Sequence, residues 1–443
     1  MEPSTPAYFQ SHYMPNTPAQ RRNMLDSIGI KSIEELFNDI PEAHRNPTLK
    51  IPPPMPELDL RNELLSLSSN NNSVAESSCF LGAGVYNHFI PSIVIPLITR
   101  GEFLTSYTPY QAEASQGTLQ VAYEFQTMVC NLMGMDVAND GMYEGATSVA
   151  EAALMACRIT GRDGIGILNT MSPSYREVVE TYTKPQGLKI HLLDPDNLVI
   201  PEETACVLAQ YPNFFGYIED LSYYKRTCDE SGALLVVSTD PVAMGMFQSP
   251  GALGADIVTG EGQGLGIPMS FGGPYIGLFA TKDKFVRQMP GRIVGKTIDA
   301  NNDPGYVLTL QPREQHIRRE KATSNICTSQ ALLALASTIT IAALGKHGLR
   351  QMAELCYHKA HYAASLIQNL DGYSLPIDGT FFKEMTVKCP VSPSIINERL
   401  LEDGIIGGLD ISHIMPDCML LCVTEMNSKA EIESLVEILA EFK

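Results

Sequence analysis

The sequence predicts an α/β protein. A large domain holds a mostly parallel sheet covered by helices on both faces, a small α+β domain follows it, and a helical arm precedes it. From about Phe103, short apolar runs alternate with helical segments: "GIGILN", "LKIHLL", "NFFGYIED", "ALLVVSTDP", "ADIVTGEG" and "YIGLFAT". That is the pattern of buried strands joined by helical crossovers. Beyond about Gly348 the texture changes to a helix, strand-like "MTVKCP" and "CMLLCV", and a last helix, "SKAEIESLVEILAEFK". With 443 residues the chain is long enough for two domains. The expected boundaries are 1–60 for the arm and linker, 61–347 for the large domain and 348–443 for the small one.

In the arm, Thr17, Pro18 and Gln20 of "NTPAQRRNMLDSIGI" form a capping box with proline at the first helical position. Ser32 and Glu35 of "KSIEELFNDIP" suggest a second box. Met24, Leu25, Ile28, Leu36 and Phe37 give these short helices apolar stripes, which need a packing partner because such helices are marginal alone. "IPPPMPELD" is a stiff connector. "TLQVAYEFQTMVCNLMGM" and "YEGATSVAEAALMACRIT" are amphipathic helices. Too few residues join "ADIVTGEG" to "YIGLFAT" for a helical crossover, so that pair is expected to be antiparallel. "TSQALLALASTITIAALGKHG" is a long helix, and Asn427 or Ser428 caps the last one.

Composition narrows the function classes. The net charge is −19, from 50 acidic against 31 basic residues, which argues against nucleic acid as the main partner. No uncharged apolar run reaches the ~20 residues of a membrane helix, and the N-terminus carries neither a secretory nor an Arg-rich transit pattern. The expected location is the cytoplasm, with no membrane attachment. The ten cysteines contain no CxxC and the nine histidines no HExxH, so buried reduced thiols and no metal are expected. Cys418 and Cys422 would share one side of a strand.

Several stretches carry chemistry. "DIVTGEGQGLGIPMSFGGPYIG", Asp256 to Gly277, is a strand, a glycine-rich turn and a second strand without a basic residue. In "YEGATS", Gly145, Ala146 and Thr147 open a helix, either as an anion site or as a plain helix start. Asp240 in "VSTDP" ends a strand, as a functional carboxylate or as an Asp-Pro turn residue. "TSYTPYQAEASQG" presents Tyr107, Thr108, Tyr110, Gln111, Glu113, Ser115 and Gln116, too polar for core; it reads as a site loop or an ordered interface loop. Arg292 in "MPGRIVGKT" fits an interface ion pair or a carboxylate contact. "REQHIRREKATSN" groups Arg313, His316, Arg318, Arg319 and Lys321, with Glu314 and Arg318 spaced for a helix ion pair, then Thr323, Ser324 and Asn325.

"MPNTPAQRRNML", "SYTPYQAEASQGTLQ", "EFQTMVCNLMGMDVAN", "MYEGATSVAEA", "GEGQGLGIPMSFGGPYIG" and "LQPREQHIRREKATSNICT" together resemble the glycine cleavage P-protein family, and in particular its N-terminal half or subunit. The resemblance runs from about His12 to the C-terminus. It implies a fold-type-I pyridoxal-phosphate-dependent transferase fold with a seven-stranded sheet. It also implies decarboxylation of glycine through pyridoxal phosphate and transfer of the aminomethyl group to the lipoyl arm of the H-protein. In the split form of the family a C-terminal-half partner subunit binds the cofactor covalently, in an α2β2 assembly. The family's Schiff-base lysine position falls at Gln263, and an amide cannot form an imine. This chain therefore carries no catalytic residue of its own and completes a shared site, or serves as a structural scaffold; a stand-alone aminotransferase-like enzyme is disfavoured. The resemblance makes Gly145, Ala146, Thr147 and Asp240 remnants of a cofactor site, with Asp240 where such enzymes pair the pyridinium nitrogen. It sends Thr323, Ser324 and Asn325 toward the partner's cofactor and the Tyr107–Gln116 loop toward glycine or the lipoyl path. It counts Arg318 and Lys321 among the shared-site contacts, and Arg318, Arg319 and Lys321 would offer a basic patch to an acidic H-protein. Gly272 and Gly273 are expected to serve the turn and close backbone packing.

Overall fold

The structure, a computed structural model, describes residues 16–443 apart from 46 and 49. Segment 1–15, which carried the leader reading and the start of the first family motif, lies outside them. The chain divides into two compact units, Met1–Asn71 and Asn72–Lys443. The boundary expected at 60 therefore falls inside the helix Glu57–Ser68, which belongs to the first unit.

In the first unit the helix Pro18–Ile28 has the expected box: Gln20 N donates to Thr17 Oγ1 at 3.2 Å and Thr17 N to Gln20 Oε1 at 2.8 Å. The second expected box is absent. Ile33–Phe37 is a 3₁₀ turn, Ser32 makes no capping bond, and Glu35 reaches back past it to Lys31 N at 2.9 Å. No residue of these helical elements is buried, and Met24, Ile28, Leu36, Phe37, Leu58 and Leu64 are exposed.

The second unit is built on seven strands: β1 (Val137–Ala138), β2 (Gly164–Leu168), β3 (Lys189–Leu193), β4 (Thr204–Tyr211), β5 (Leu234–Thr239), β6 (Ile257–Glu261) and β7 (Gly277–Thr281). Their spatial order is β1-β7-β6-β5-β4-β2-β3. The strands from β2 to β6 pair in parallel, while β7 runs antiparallel to β6 and β1 to β7. β4 corrects one sequence expectation. The strand is "TACVLAQY", and "NFFGYIED" is the loop after it. Pro212 removes a backbone donor at the strand's end, and Asn213 Oδ1 then accepts from the amides of Phe215 and Tyr217, each at 3.0 Å.

Side chains alternate across the sheet as the two-residue period requires. Val207 and Ala209 face a core with Phe125, Val129 and Met133 of the helix Gln116–Met133 and Ala334 of the helix Ala331–Ile367. Cys206 and Leu208 face a core with Val149, Ala153 and Ala156 of the helix Gly145–Thr160. Ala331–Ile367 is long and apolar enough to cross a membrane by length and composition. It is bent at Gly345 (φ 58, ψ −176), and Ala334, Leu335, Leu349 and Met352 are buried in this fold.

The boundary expected at 347 falls inside the helix Ala331–Ile367 and within the second unit. The C-terminal part of that unit, the small domain, has an antiparallel sheet of Glu384–Lys388, Cys418–Cys422 and Leu409–Asp410, with the helices Pro393–Glu402 and Lys429–Leu439. Ser428, not Asn427, caps the last helix. Ser78–Cys79 pairs in parallel with Ile405–Ile406, so the first segment of this unit is stitched into its last domain.

Candidate active site

In open parallel sheets, ligands bind outside the carboxyl ends of the strands. Here that end is formed by Gln210, Ser238–Asp240 and Glu261, closed over by Tyr86, Tyr175, Lys383 and Glu384. Gln263 is 1 % exposed. Its Nε2 donates to the carbonyls of Tyr86 (3.0 Å) and Ile267 (2.8 Å), and its Oε1 accepts from Tyr86 N at 2.9 Å. The amide thus clamps the Tyr86 backbone as a strand neighbour would.

Asp240 is paired with Lys383 Nζ at 2.6 Å, and its Oδ1 also accepts from Val242 N. Lys383 is 2 % exposed; its Nζ lies 2.8 Å from His88 Nε2 and 3.4 Å from the Tyr86 ring centre. Burial works to lower the Lys383 pKa, but the Asp240 charge and hydrogen bond, with Cys422 and Cys356, together outweigh it and the net shift is upward. His88 is shifted down, by burial and then by Lys383. Lys383 donates to its Nε2, so the ring proton sits on Nδ1 and is donated to Glu425 at 2.8 Å. Burial alone would raise Glu425; hydrogen bonds from His88, Phe89 N and Cys356 hold it at about 2. His88, Cys356 and Glu425 bring ligand-type atoms within 4.8 Å of one another, and in this chain they satisfy each other. Glu384 accepts from Tyr86 Oη at 2.8 Å and from Ala83 N, and burial pushes it up to about 7.

The helix start at Gly145 is occupied by the chain's own carboxylates. Glu261 accepts from Gly145 N and Gln263 N, each at 2.9 Å, and Glu144 accepts from Thr147 N at 2.7 Å. Burial raises Glu261 to about 7. A Cβ at Gly145 would stand 2.4 Å from the Tyr175 hydroxyl oxygen, so nothing further approaches there, and Ala146 and Thr147 are buried. The remaining cavity is ≈ 40 Å³, room for a few waters and far below a cofactor pocket. These residues do not fit pyridoxal phosphate: the anion position holds Glu261 and Glu144, and the carboxylate for a ring nitrogen is already paired.

A second crevice, ≈ 290 Å³, lies between the Phe103–Pro109 segment, the helix Gln116–Met133 and the start of the helix Ala331–Ile367. It unites Tyr107 and Arg292 with Asp140, Thr328 and Ser329. Arg292 Nη2 donates to Tyr110 Oη at 3.3 Å, its Nε lies 3.5 Å from Glu314 Oε2, and Ser329 Oγ donates to Asp140 Oδ2 at 3.1 Å. The Tyr107 and Thr328 hydroxyls are 3.5 Å apart. Burial raises Asp140 to about 7 although Arg292 pulls it down. Asp140 Oδ1 and Arg292 Nε are buried without a hydrogen-bond partner, so the crevice floor has polar capacity that this chain does not use.

The other candidates divide. Gln116 is a clamp: its Nε2 donates to Tyr306 O and its Oε1 accepts from Tyr306 N, each at 2.8 Å, which anchors the hairpin Ile293–Ile298/Pro304–Thr309. Thr108 O accepts from Tyr110 N, Ser115 O accepts from Leu119 N, and Gln111 and Glu113 are exposed. Ser324 turns inward to Ile326 N and Glu151, Thr323 N bonds Arg313 O, and Asn325 is exposed. The expected Glu314–Arg318 pair does not form. Gln315–Arg318 is a single turn, Glu314 faces Arg292 and His316, and Arg318 donates to Pro312 O. Arg287, Arg313, Arg318 and Lys321 line a groove of ≈ 380 Å³. Gly272 and Gly273 supply positive φ (101° and 140°), but a Cβ at either would meet no contact closer than 3.4 Å, so the expected close packing is absent.

Sequence reasoning missed Asp140, Ser329, Lys383 and Glu384, and gave Glu314 the wrong partner. The signal for Lys383 and Glu384 was present in "FFKEMTV", two charges inside an apolar strand run, which implies buried partners.

The family model described as "Glycine cleavage system P-protein" matches residues 11–439. The "Probable glycine dehydrogenase (decarboxylating) subunit 1" of Desulfitobacterium hafniense is 51 % identical, over 98 % of this chain and 100 % of the relative. That of Thermomicrobium roseum is 49 % identical, over 97 % and 99 %. A crystal structure of glycine decarboxylase (P-protein) in inhibitor-bound form superposes with a TM-score of 0.91 at 40 % identity, over 97 % of this chain and 100 % of that one. The glutamate decarboxylase of Lactobacillus brevis, 14 % identical with a TM-score of 0.65, shares the fold. Sequence, seven-stranded sheet and superposition agree: the chain belongs to the glycine cleavage system P-protein family.

Proposed function

We propose that this chain is one subunit of a two-chain glycine dehydrogenase (decarboxylating), and that it completes an active site whose pyridoxal phosphate is bound covalently by the other subunit. The observation that carries this reading is the filled pocket: Gln263, Lys383 and Glu261 occupy the place where the fold keeps its cofactor. When bound in the partner, pyridoxal phosphate supplies an electron sink for loss of CO2 from glycine. This chain's contribution is the Arg292 crevice. The guanidinium, paired with Glu314 and facing the Asp140 charge, holds the Tyr110 hydroxyl, and Phe103, Leu104 and Leu335 give the crevice an apolar wall. Asp140, poised near neutrality, can hold a proton at Oδ1. The exposed apolar residues of the 1–71 unit suit a subunit interface in an α2β2 assembly. The basic groove suits an acidic carrier such as the H-protein with its lipoyl arm. Ten unpaired cysteines suit a reducing compartment, the cytoplasm.

The test is reconstitution with the lysine-bearing partner. Each chain alone should give little glycine–CO2 exchange, and mixing should restore it. Tyr107→Phe and Arg292→Lys in the reconstituted enzyme separate a shared site from a scaffold. A shared site loses turnover by about 10-fold or more, as expected for a lost transition-state contact, with assembly intact. Unchanged turnover would establish a scaffold.

A further inference from the structure

The pocket at the carboxyl end of the sheet is more than a site that lost its lysine. Two groups that a bound pyridoxal phosphate would present to this fold, its ring cation and its phosphate, have side-chain counterparts already in place. Where a protonated ring nitrogen would meet Asp240, the Lys383 ammonium stands 2.6 Å from Oδ2. Where a phosphate would meet the helix start, Glu261 accepts from Gly145 N and Glu144 from Thr147 N. Where the lysine would rise, Gln263 is tied to the Tyr86 backbone at both ends of its amide.

We infer that Lys383 and Glu261 are permanent internal substitutes for the cofactor's ring cation and phosphate, and that Lys383 thereby latches the small domain onto the sheet. Lys383 immediately precedes the strand Glu384–Lys388 of the small domain, while Asp240 follows β5 of the large one. The same seam is closed by Tyr86–Glu384 and His88–Glu425. A Cβ at Gly216 (φ 94°) would stand 2.1 Å from Glu384 O, so the backbones touch there as well. The Asp240 carboxylate, 2.6 Å away, disfavours the neutral amine that would have to attack an aldehyde. The assembled enzyme should then hold one cofactor for each pair of unlike chains.

The latch rests on the proposed function only in assigning the cofactor to the partner. It is read by stability and cofactor content, the proposed function by catalysis, so either can fail alone. The experiment is a double-mutant cycle on the assembled two-chain enzyme: Lys383→Met, Asp240→Asn and both together, with thermal unfolding and alkali-released pyridoxal phosphate measured for each. Each single variant should lower the Tm, because a buried charge loses its partner. The double variant should recover at least half of that loss, and cofactor content should stay at one per pair of chains throughout. Additive Tm losses, or a second equivalent of pyridoxal phosphate on the unmodified enzyme, would overturn the inference. If a single variant does not fold, the double variant decides: a folded complex supports the latch and an unfolded one refutes it.

Discussion

The Gln263 amide accepts one hydrogen bond and donates two, all to backbone. Gln263→Lys would keep donors but lose the acceptor for Tyr86 N, leaving a buried orphan that costs roughly 1–3 kcal/mol. The variant is expected to melt earlier and to gain no pyridoxal absorbance; a stable, yellow, borohydride-reducible protein would contradict this. Glu261 makes a pH-dependent contribution. Its folded pKa is raised from 4.5 to about 7, so the folded state binds the proton more tightly. The associated stability is complete below pH 4.5 and is lost as pH rises to about 7. Each tenfold gain in proton affinity on folding corresponds to about 1.4 kcal/mol of that stability. Glu261→Gln cannot ionise. Relative to the parent it should therefore gain stability between pH 5 and pH 8, measured by urea unfolding at each pH. A difference independent of pH would show that Glu261 does not titrate in that window.

Among the elements, the helix Ala331–Ile367 turns at Gly345, whose backbone lies in a region essentially reserved for glycine. Gly345→Ala should cost roughly 1–3 kcal/mol, although alanine is the better helix former. A stabilised variant in chemical denaturation would show that the helix straightens. The same helix shows why the sequence reads well in some places and poorly in others. Its apolar length announced a helix, but the bend needs a conformation that composition does not encode. The antiparallel β6–β7 pair was readable because chain length forbids a crossover. β4 was not, because "TACVLAQY" has no clean alternation while the aromatic "NFFGYIED" imitates a strand. For the site, the Tyr107–Gln116 loop and Arg292 stood out by composition. Asp140 and Ser329 did not, since they reach the Arg292 crevice from segments far apart in sequence and each is unremarkable where it stands; Glu314 stood out only for a helix pair with Arg318 that does not form.

At the scale of the whole molecule, a chain of net charge −19 gathers four basic side chains around one groove. Arg318→Glu with Lys321→Glu should raise the KM for the protein carrier in the exchange assay, flatten its dependence on salt and leave kcat near the parent value. An unchanged KM would place the carrier elsewhere. The exposed apolar residues of the first unit make a parallel case. Leu36→Ala with Phe37→Ala should weaken association with the partner subunit in sedimentation while leaving the unfolding of the chain itself nearly unchanged. The filled pocket also bears on descent. A lineage carrying Gln263, Lys383 and Glu261 together cannot return to an autonomous catalyst by regaining one amino acid. Restoring the lysine first meets a closed cavity, and removing Lys383 first strands Asp240 as a buried, unpaired carboxylate. Each single step back is penalised before the last confers any advantage, so the proposed division of labour between two chains would act as a ratchet.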